Sequence, residues 1–322
     1  RDAVAALKAG EVEPADLLAA GFARMAQVEP AVNATVTQAQ ARAEAELARL
    51  HERQESQGAH PGWLAGLPIT IKDLTEVAGL RTTFGTPALA EFVPDQSDPL
   101  VERLEARGAI VAGKTNTPEF GTGANTFNAV FGHTRNPWDT SRNPGGSSGG
   151  AAVSLATGET WLAHGSDMAG SLRTPAALCG VVGFRPSPGR VGGGTASNAY
   201  ALEPVEGPMA RNVGDIALFL DAMAGRDDRD PLSLDEPFAP FQSALDQPLG
   251  PIRVAFSEDQ AGLAPVEKTI RDGLRDAVTR CAGEGIEVEE SWPEVPGLRT
   301  CYMVLRGMMH GVQDRAMPDH IG

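Results

Sequence analysis

Several features that mark other classes of protein are scarce or absent in this chain. Cysteine occurs three times in 322 residues, and this small odd number argues against a disulfide framework and for a reducing compartment. No stretch approaches the roughly 18 consecutive apolar residues of a membrane-spanning helix, and no signal peptide is recognisable. We therefore expect a cytoplasmic protein that has no membrane partner.

Positive charge is also scarce. The formal net charge is −15, and only four of the 27 basic residues are lysines: Lys8, Lys72, Lys114 and Lys268. An acidic surface repels phosphate backbones, so the composition argues against a nucleic-acid partner. Arginine serves most structural ion pairs, and a lysine inside an apolar stretch therefore raises the question of a chemical role.

Aromatic residues make up only 5% of the chain, whereas glycine (37) and proline (24) are plentiful. Short β-branched runs alternate with helical patterns, which predicts an α/β fold with a mixed central β-sheet flanked by helices. Strands are predicted at 67–73, 109–112, 161–164, 181–184, 252–256 and 286–289. Helices are predicted at 14–27, 37–57, 97–107, 149–157, 213–223, 267–281 and 301–310.

The order of these patterns also predicts the organisation of the chain. Residues 113–150 are dense in Gly, Asn, Thr and Pro, which indicates a long functional loop region that ends in a helix. An acidic, proline-containing segment at 226–249 is predicted to be a linker. We interpret 1–322 as a single domain.

One segment, Gly108 to Thr115, formally matches a phosphate-binding loop. In such a loop the first glycine ends a strand and the next four residues form a turn. Here the intervening residues are themselves the predicted strand, and a predicted helix precedes Gly108. A strand followed by a turn is the preferred interpretation.

A second segment, Gly145 to Gly149, formally matches the nucleophile elbow of α/β-hydrolases. That elbow needs a strand leading directly into it, but Asn136 to Pro144 contains prolines that a central strand does not accept. An elbow also needs a histidine partner. The six histidines form no recognisable triad, although His310 lies suitably late in the chain.

Three separate segments together supply what amide hydrolysis requires. They are Lys72 at the end of an apolar strand, the glycine-flanked Ser147, and the run from Gly165 to Pro175 that contains Ser171. A serine hydroxyl needs a base, and a lysine can be that base when burial keeps it neutral. A second hydroxyl can pass the proton between them. Backbone amides before the nucleophile can stabilise the oxyanion.

At these residues the sequence resembles the amidase-signature family of serine hydrolases. The matching pieces, in family order, are GLPITIKDL, RNPWDTSRNPGGSSGGAA, GSDMAGSLRTPAALCGVVGFRPSPGRV and EGPMARNVGDIALFLDAMAG. The resemblance runs from about residue 12 to residue 225, with a family-defining core at about 62–225. Members of this family are usually considerably longer, so the resemblance implies a chain truncated at its C-terminus.

The resemblance implies a role for each matching residue. Lys72 corresponds to the catalytic base and acid, Ser147 to the bridging serine with a cis peptide bond to Gly146, and Ser171 to the nucleophile. The backbone amides of three residues correspond to the oxyanion hole, together with that of Ser171: Met168, Ala169 and Gly170. Three further residues are expected to support these loops: Ser148, Asp167 and Arg173.

Two segments need a separate comparison with the family: the residues just before the nucleophile and the segment 301–310. The family commonly has two glycines before the nucleophile, where this chain has Ala169 and Gly170, so the amide of Ala169 is retained only if its φ is negative. In relatives a helix near 301–310 borders the substrate entrance. Cys301 is therefore a candidate substrate contact, although a place in the core is the preferred interpretation of this segment.

The resemblance implies an amidase that uses no metal or organic cofactor. Ser171 would attack a small-molecule carboxamide, a linear amide in our interpretation, and release ammonia or an amine, and water would then hydrolyse the acyl-enzyme. Three alternatives remain: an amidotransferase component that acts on charged tRNA, a Ser–His esterase, and a non-catalytic scaffold. The segment 192–197 lacks the continuation typical of the tRNA-linked enzyme. Together with the acidic charge, this ranks the amidotransferase well below the amidase among the interpretations. A homodimer is left open as the oligomeric state.

Overall fold

A computed structural model describes residues 1–193, 200–248, 250–260 and 262–316. The chain divides into two compact units, of which the first spans Arg1–Leu245 and the second begins at Asp246. This division falls inside the segment 226–249 that the sequence predicts as a linker. The single-domain interpretation and the core boundaries of about 62–225 stay predictions.

The first unit contains nine helices and eight strands among its described residues. The helices are α1 (Asp2–Ala9), α2 (Pro14–Val32), α3 (Gln40–Leu47), α4 (Leu50–Gln57), α5 (Pro99–Ala106), α6 (Gly149–Ala156), α7 (Arg173–Cys179), α8 (Val213–Met223) and α9 (Phe241–Ala244). The strands are β1 (Thr35–Gln38), β2 (Pro68–Lys72), β3 (Ile110–Thr115), β4 (Phe127–Asn128), β5 (Gly132–His133), β6 (Leu162–Asp167), β7 (Val182–Gly183) and β8 (Val205–Ala210). Short 3₁₀ turns lie at Pro87–Leu89 and Glu119–Gly121.

Six of these strands form one mixed sheet, which confirms the predicted fold class. Their order is β1-β3-β2-β6-β8-β7. Strand β2 pairs in parallel with β3 and β6, while β1 and β8 run antiparallel to their neighbours. The central strands β2 and β3 are buried at every residue, as expected for parallel strands covered by helices on both faces.

Consecutive residues of β6 show how both faces of the sheet are covered. Leu162 belongs to a core cluster that includes Ile69, Ile71 and Phe219 of α8. Ala163, the next residue, belongs to a second cluster formed with α6 and α7. Because neighbouring side chains in a strand point to opposite faces, the two clusters are the two helical layers that enclose the sheet.

The helix predicted at 37–57 is wrong in part. Thr37 and Gln38 lie in β1, which pairs antiparallel with β3, and the helical stretch is broken into α3 and α4. The Ala- and Glu-rich composition favours a helix, but the preceding Thr35-Val-Thr run completes the sheet edge instead, where pairing outweighs local propensity. Helix α5, predicted at 97–107, is capped by Asp98, whose side chain accepts a hydrogen bond from the Leu100 amide at 2.8 Å.

The second unit is small in its described part. Strands β9 (Arg253–Phe256) and β10 (Glu287–Glu290) pair in parallel, and α10 (Lys268–Gly283) connects them. Helix α11 (Leu298–Ala316) follows. The core placement preferred for 301–310 is wrong for the described side chains Cys301, Met303, Val304, Leu305 and Met308, which are exposed. The apolar composition of a helix does not by itself supply the elements that would cover it.

No helix in the described part of the chain is both long and apolar enough to cross a membrane. Among the same residues, no group of three His, Cys, Asp or Glu side chains could hold a metal ion.

Two glutamates, the half-buried Glu29 and the buried Glu159, join β1 to the ends of α2 and α6. Glu29 accepts hydrogen bonds from the amides of Ala34 and Thr35. Glu159 accepts from Thr35 Oγ1 at 2.6 Å and from Thr157 Oγ1 at 2.7 Å. Burial, together with Glu29, raises the pKa of Glu159 above the ordinary 4.5. Folding therefore favours the protonated form of Glu159.

We expect Glu159→Gln to flatten the dependence of stability on pH. A carboxyl group whose pKa is raised by folding contributes stability that is present below its unfolded pKa and lost as the pH rises through its folded pKa. The free energy of unfolding in urea, measured at pH 5 and at pH 9, should fall less over this range in the variant. The surface variant Glu11→Gln should behave as the wild type, and an equal fall in Glu159→Gln would contradict the prediction.

Candidate active site

Lys72 is the last residue of β2 and its side chain is completely buried. Its Nζ donates to Ser147 Oγ at 2.7 Å and to Ser166 Oγ at 3.0 Å. The structure thus brings together Lys72 and Ser147, which the sequence predicted as partners. It adds Ser166 of β6 as a second hydroxyl on the same amine.

The amine of Lys72 is held near neutrality. Burial lowers its pKa to about 7, against the opposing effect of the carboxylates of Glu206 and Asp167, which raise it. Charged groups lose hydration on burial, so the uncharged amine is favoured. At pH 7 a large fraction of the molecules therefore carry a lysine that can accept a proton.

The glycines around Ser147 allow unusually close approach of backbones. A Cβ on Gly149 would lie 2.2 Å from Thr126 Oγ1, and a Cβ on Gly150 would lie 2.3 Å from the Asn116 amide nitrogen. These glycines let α6 begin tightly against the loops beside it. The Gly146–Ser147 peptide bond is cis, as the resemblance implied.

Ser148 connects the serine-rich segment to the strand and loop that carry the other candidate residues. Its Oγ donates to the Ser166 carbonyl at 3.2 Å and accepts from the Ser166 amide at 3.3 Å. Its own amide donates to the Ser171 carbonyl at 3.2 Å. Ser148 thereby holds Ser147 and Ser171 in a fixed relation.

Asp167, at the end of β6, organises the loop that leads to Ser171. Its carboxylate accepts from the amides of Gly170 at 2.7 Å and Leu172 at 3.1 Å, and from the Arg173 guanidinium at 3.0 and 3.1 Å. Arg185 adds a further contact at 3.3 Å. Burial opposes the ionisation of Asp167, but the hydrogen bonds from Arg173, Gly170 and Leu172 outweigh it and lower its pKa to about 2.

This loop presents free backbone donors beside Ser171. Among the described residues, the amides of Met168, Ala169 and Ser171 donate to no protein group, and the Ser171 hydroxyl has no hydrogen-bond partner. Ala169 lies outside the left-handed region, whereas Gly170 has a φ of 108°. The Gly170 amide already donates to Asp167, so it is the least available of the four predicted oxyanion donors.

Sequence reasoning missed three polar residues near Lys72. Ser166 contacts its amine, His164 Nδ1 accepts a hydrogen bond from its backbone amide at 3.4 Å, and Glu206 contacts His164. Strand periodicity was an available signal, because His164 and Ser166 are two residues apart in β6 and share a face. Glu206 on β8 gave no such signal.

The structure also places the remaining sequence motifs. The segment matching a phosphate-binding loop is largely buried strand β3, and no strand leads into Gly145 among the described residues. The structure therefore agrees with the sequence arguments against a phosphate-binding loop at Gly108 to Thr115 and against a nucleophile elbow at Gly145 to Gly149. Cys301 lies exposed in α11 of the second unit, and its contact with substrate stays a prediction. The side chain of His310 and residues 194–199, which include part of 192–197, lie outside the described part of the structure.

The protein-family model described as Amidase matches residues 16–314 of this chain. The chain belongs to the amidase family. The amidase-signature resemblance is thereby confirmed over a region that extends well beyond the four quoted motifs, and the family's chemistry is cleavage of carbon–nitrogen bonds.

The chain is similar to proteins known by sequence and to proteins of solved structure. A Thermus thermophilus protein, named as a subunit of glutamyl-tRNA(Gln) amidotransferase, is 42% identical over 302 residues. Solved structures of a bacterial aryl acylamidase and of 6-aminohexanoate cyclic dimer hydrolase match with TM-scores of 0.86 and 0.80, at 30% and 29% identity.

This chain spans about two thirds or less of the length of these relatives. The alignments cover 92% of this chain but 60% of the Thermus thermophilus protein. The structural matches cover 99% and 91% of this chain, and 69% and 60% of the aryl acylamidase and the cyclic dimer hydrolase respectively.

Proposed function

We propose that this amidase-family chain cleaves a carboxamide through an acyl-enzyme on Ser171, with Ser147 as proton relay and Lys72 as base and then acid. The observation that carries the proposal is the 2.7 Å contact between the buried Lys72 amine and Ser147 Oγ. A neutral amine and a hydroxyl can each donate or accept, so a proton can pass either way along this contact.

The proposed steps use these three side chains and the free amides of the loop that carries Ser171. Ser171 Oγ attacks the amide carbonyl while its proton passes through Ser147 to the neutral Lys72 amine. The carbonyl oxygen takes the negative charge, and the free amides of Met168, Ala169 and Ser171 donate to it. The protonated Lys72 returns its proton through Ser147 to the leaving nitrogen. Water then attacks the acyl-enzyme by the same proton route and releases the carboxylic acid.

A second candidate function, as one component of an amidotransferase, is favoured by the curated relatives. A Roseiflexus protein of the same name as the Thermus thermophilus relative is 40% identical over 314 residues. The acidic charge and the segment 192–197 argued against the amidotransferase alternative. The identity to these relatives outweighs both arguments and supports it. In this role Ser171 would release ammonia from an amide donor for transfer to charged tRNA, and the chain would need partner subunits.

The Ser–His esterase alternative has less support. Both ring nitrogens of His164 have hydrogen-bond partners, the Lys72 backbone amide and the Glu206 carboxylate. Ser147 Oγ contacts a lysine rather than a histidine. Among the described residues, no histidine ring contacts a serine hydroxyl.

Covalent labelling tests the proposal directly. We expect a fluorophosphonate probe to add once to the wild-type chain and not to Ser171→Ala, because only an activated hydroxyl attacks it readily. Intact mass spectrometry gives the stoichiometry. Ser141 lies in an exposed loop, where its hydroxyl donates to Asp139. The control variant Ser141→Ala should therefore be labelled as the wild type is.

Each outcome separates the candidates. No adduct on folded wild-type protein would contradict the proposal and favour a non-catalytic scaffold. Labelling together with hydrolysis of simple aryl and alkyl amides by the isolated chain would favour a free-standing amidase. Labelling without turnover of any simple amide, glutamine included, would favour the amidotransferase role.

A further inference from the structure

A histidine and a glutamate outside the proposed triad contact Lys72 from the neighbouring strands. His164 is completely buried in β6. Its Nδ1 lies 3.4 Å from the Lys72 backbone nitrogen, and its Nε2 lies 2.5 Å from Glu206 Oε2. The resemblance assigns no role to either side chain.

Strand geometry explains why a side chain contacts the backbone of Lys72. The parallel pairing of β2 with β6 ends at Thr70 and Ala163, so the Lys72 amide lies beyond the last pair of the ladder. The His164 ring takes the place of a carbonyl acceptor there. In the antiparallel pairing of β6 with β8, Glu206 is opposite Ser166, and therefore diagonal to His164 and within its reach.

The hydrogen bonds determine which ring nitrogen carries the proton. The Lys72 amide can only donate, so Nδ1 must accept and the ring proton must be on Nε2. Nε2 then donates to the Glu206 carboxylate. The ring is neutral in this arrangement, so it does not pair the negative charge of the Glu206 carboxylate, whose side chain is 26% exposed. Glu206 lies opposite Ser166 in the sheet, and Ser166 Oγ accepts from the Lys72 amine at 3.0 Å, which places the carboxylate on the side of β6 that carries this amine.

We propose that His164 and Glu206 are positioning residues for Lys72: the ring fixes its backbone, and the carboxylate favours the protonated state of its amine. This inference rests on the proposed role of Lys72 as base and acid. A buried lysine that loses its proton too readily is a weak base. The carboxylate of Glu206 keeps the amine basic enough to take the proton from Ser147.

The other charged groups near Lys72 are consistent with this assignment. Asp167 is held by Arg173 and Arg185, and Asp73, the next residue in the chain, pairs with Lys114 at 3.2 Å. The carboxylate of Glu206 has only the neutral ring as a hydrogen-bond partner among the described residues.

The charge of Glu206 also acts on a second buried group. Burial and then Glu206 raise the pKa of Asp98 to about 7, with a smaller effect from Glu76. Substituting Glu206 should therefore change the titration of Asp98 as well as that of Lys72. A direct readout of the lysine amine is needed to separate the two.

Lysine-specific NMR provides that readout, because the chain contains four lysines. With ¹³C-labelled lysine, the Cε signal of Lys72 is assigned by its loss in Lys72→Met, and its midpoint is followed with pH. We expect Glu206→Gln to lower the midpoint by about 0.5 to 1 unit, because the amide keeps the hydrogen bond but not the charge. Glu105→Gln, which removes a carboxylate paired with Arg42, should leave it in place. An unchanged midpoint in Glu206→Gln would overturn the role of the carboxylate.

The positioning role of the ring is tested by the rate of fluorophosphonate labelling. His164→Leu should slow the maximal labelling rate by about tenfold or more without changing the half-saturating concentration. His164→Asn, which retains an acceptor near the Nδ1 position, should recover most of the rate. Equal rates in His164→Leu and the wild type would overturn the role of the ring.

The two readouts distinguish failure of this inference from failure of the proposed function. Wild-type protein that is not labelled contradicts the proposed function, while the lysine titration still decides whether Glu206 acts on Lys72. If His164→Leu does not fold, as judged from the signals of Lys8, Lys114 and Lys268, Glu206→Gln and His164→Asn carry the test.

Discussion

We expect Lys72→Met to reduce amide hydrolysis, or fluorophosphonate labelling, by at least about a hundredfold and up to about ten-thousandfold, the usual range for losing a general base. Methionine has a similar length and fills the same buried space, but it cannot take the proton from Ser147. The loss should appear in kcat, or in the maximal labelling rate, rather than in KM. Retention of more than half the wild-type rate would show that another group is the base.

If Lys72 is the base, the rate of the wild type should depend on pH through the protonation of this lysine. Because Lys72 has its pKa lowered to about 7, the neutral base is present above that value and lost below it. The maximal rate should therefore rise through about pH 7 and level off. The remaining activity of Lys72→Met should lack this acidic limb.

A matched control separates chemistry from folding. Replacing a fully buried amine by an apolar side chain removes the cost of desolvating it, so Lys72→Met should unfold in urea at no lower concentration than the wild type. Substantial destabilisation of this variant would leave the Ser147→Ala variant as the comparison, because it removes the relay hydroxyl and keeps the lysine.

We expect Lys114→Met to reduce the free energy of unfolding by about 3–5 kcal/mol, the usual cost of removing one member of a buried ion pair. Lys114 and Asp73 are 0% and 1% exposed and lie 3.2 Å apart. Lys114 also donates to Thr82 Oγ1 at 2.7 Å. Without the lysine, the Asp73 carboxylate is a buried charge that keeps only the hydrogen bonds of Thr83.

Urea unfolding of a double variant tests the cause. Lys114→Met combined with Asp73→Asn removes the unpaired charge, so it should recover a large part of the lost stability. A double variant as unstable as Lys114→Met would show that the loss comes from packing rather than from the charge. The exposed pair of Lys268 and Asp272 offers the comparison, and Lys268→Met should cost less than about 1 kcal/mol.

The elements of the fold were predictable where the hydrophobic pattern of a segment matches the burial of its residues in the structure. The apolar run at β2, the capped helix α5 and the helix α8 were predicted close to their observed bounds, because each has a regular period or a recognisable cap. The edge strand β1 and the strand β8 were missed. Both owe their structure to pairing with strands distant in the chain rather than to their own composition.

The site was predictable to the extent that its residues lie within local motifs. Lys72 and Ser147 are 75 residues apart in the chain and were expected to meet, since the glycine-flanked serines and the buried lysine each have a sequence signature. Strand periodicity relates His164 to Ser166, but the contact between His164 and Glu206 had no signature in the sequence. A histidine in an apolar strand usually marks core, and only the register of β6 against β8 shows what it contacts.

The sequence by itself therefore determined the family, the mixed sheet and the residue types capable of acyl transfer, because these depend on short motifs and on periodicity. The tertiary structure decided which groups share the buried space around Lys72. Burial sets the proton affinity of that amine, while Glu206, Asp167 and the Asp73–Lys114 pair set the charge around it. Desolvation and charge act over distances in space, and the order of residues along the chain does not contain those distances.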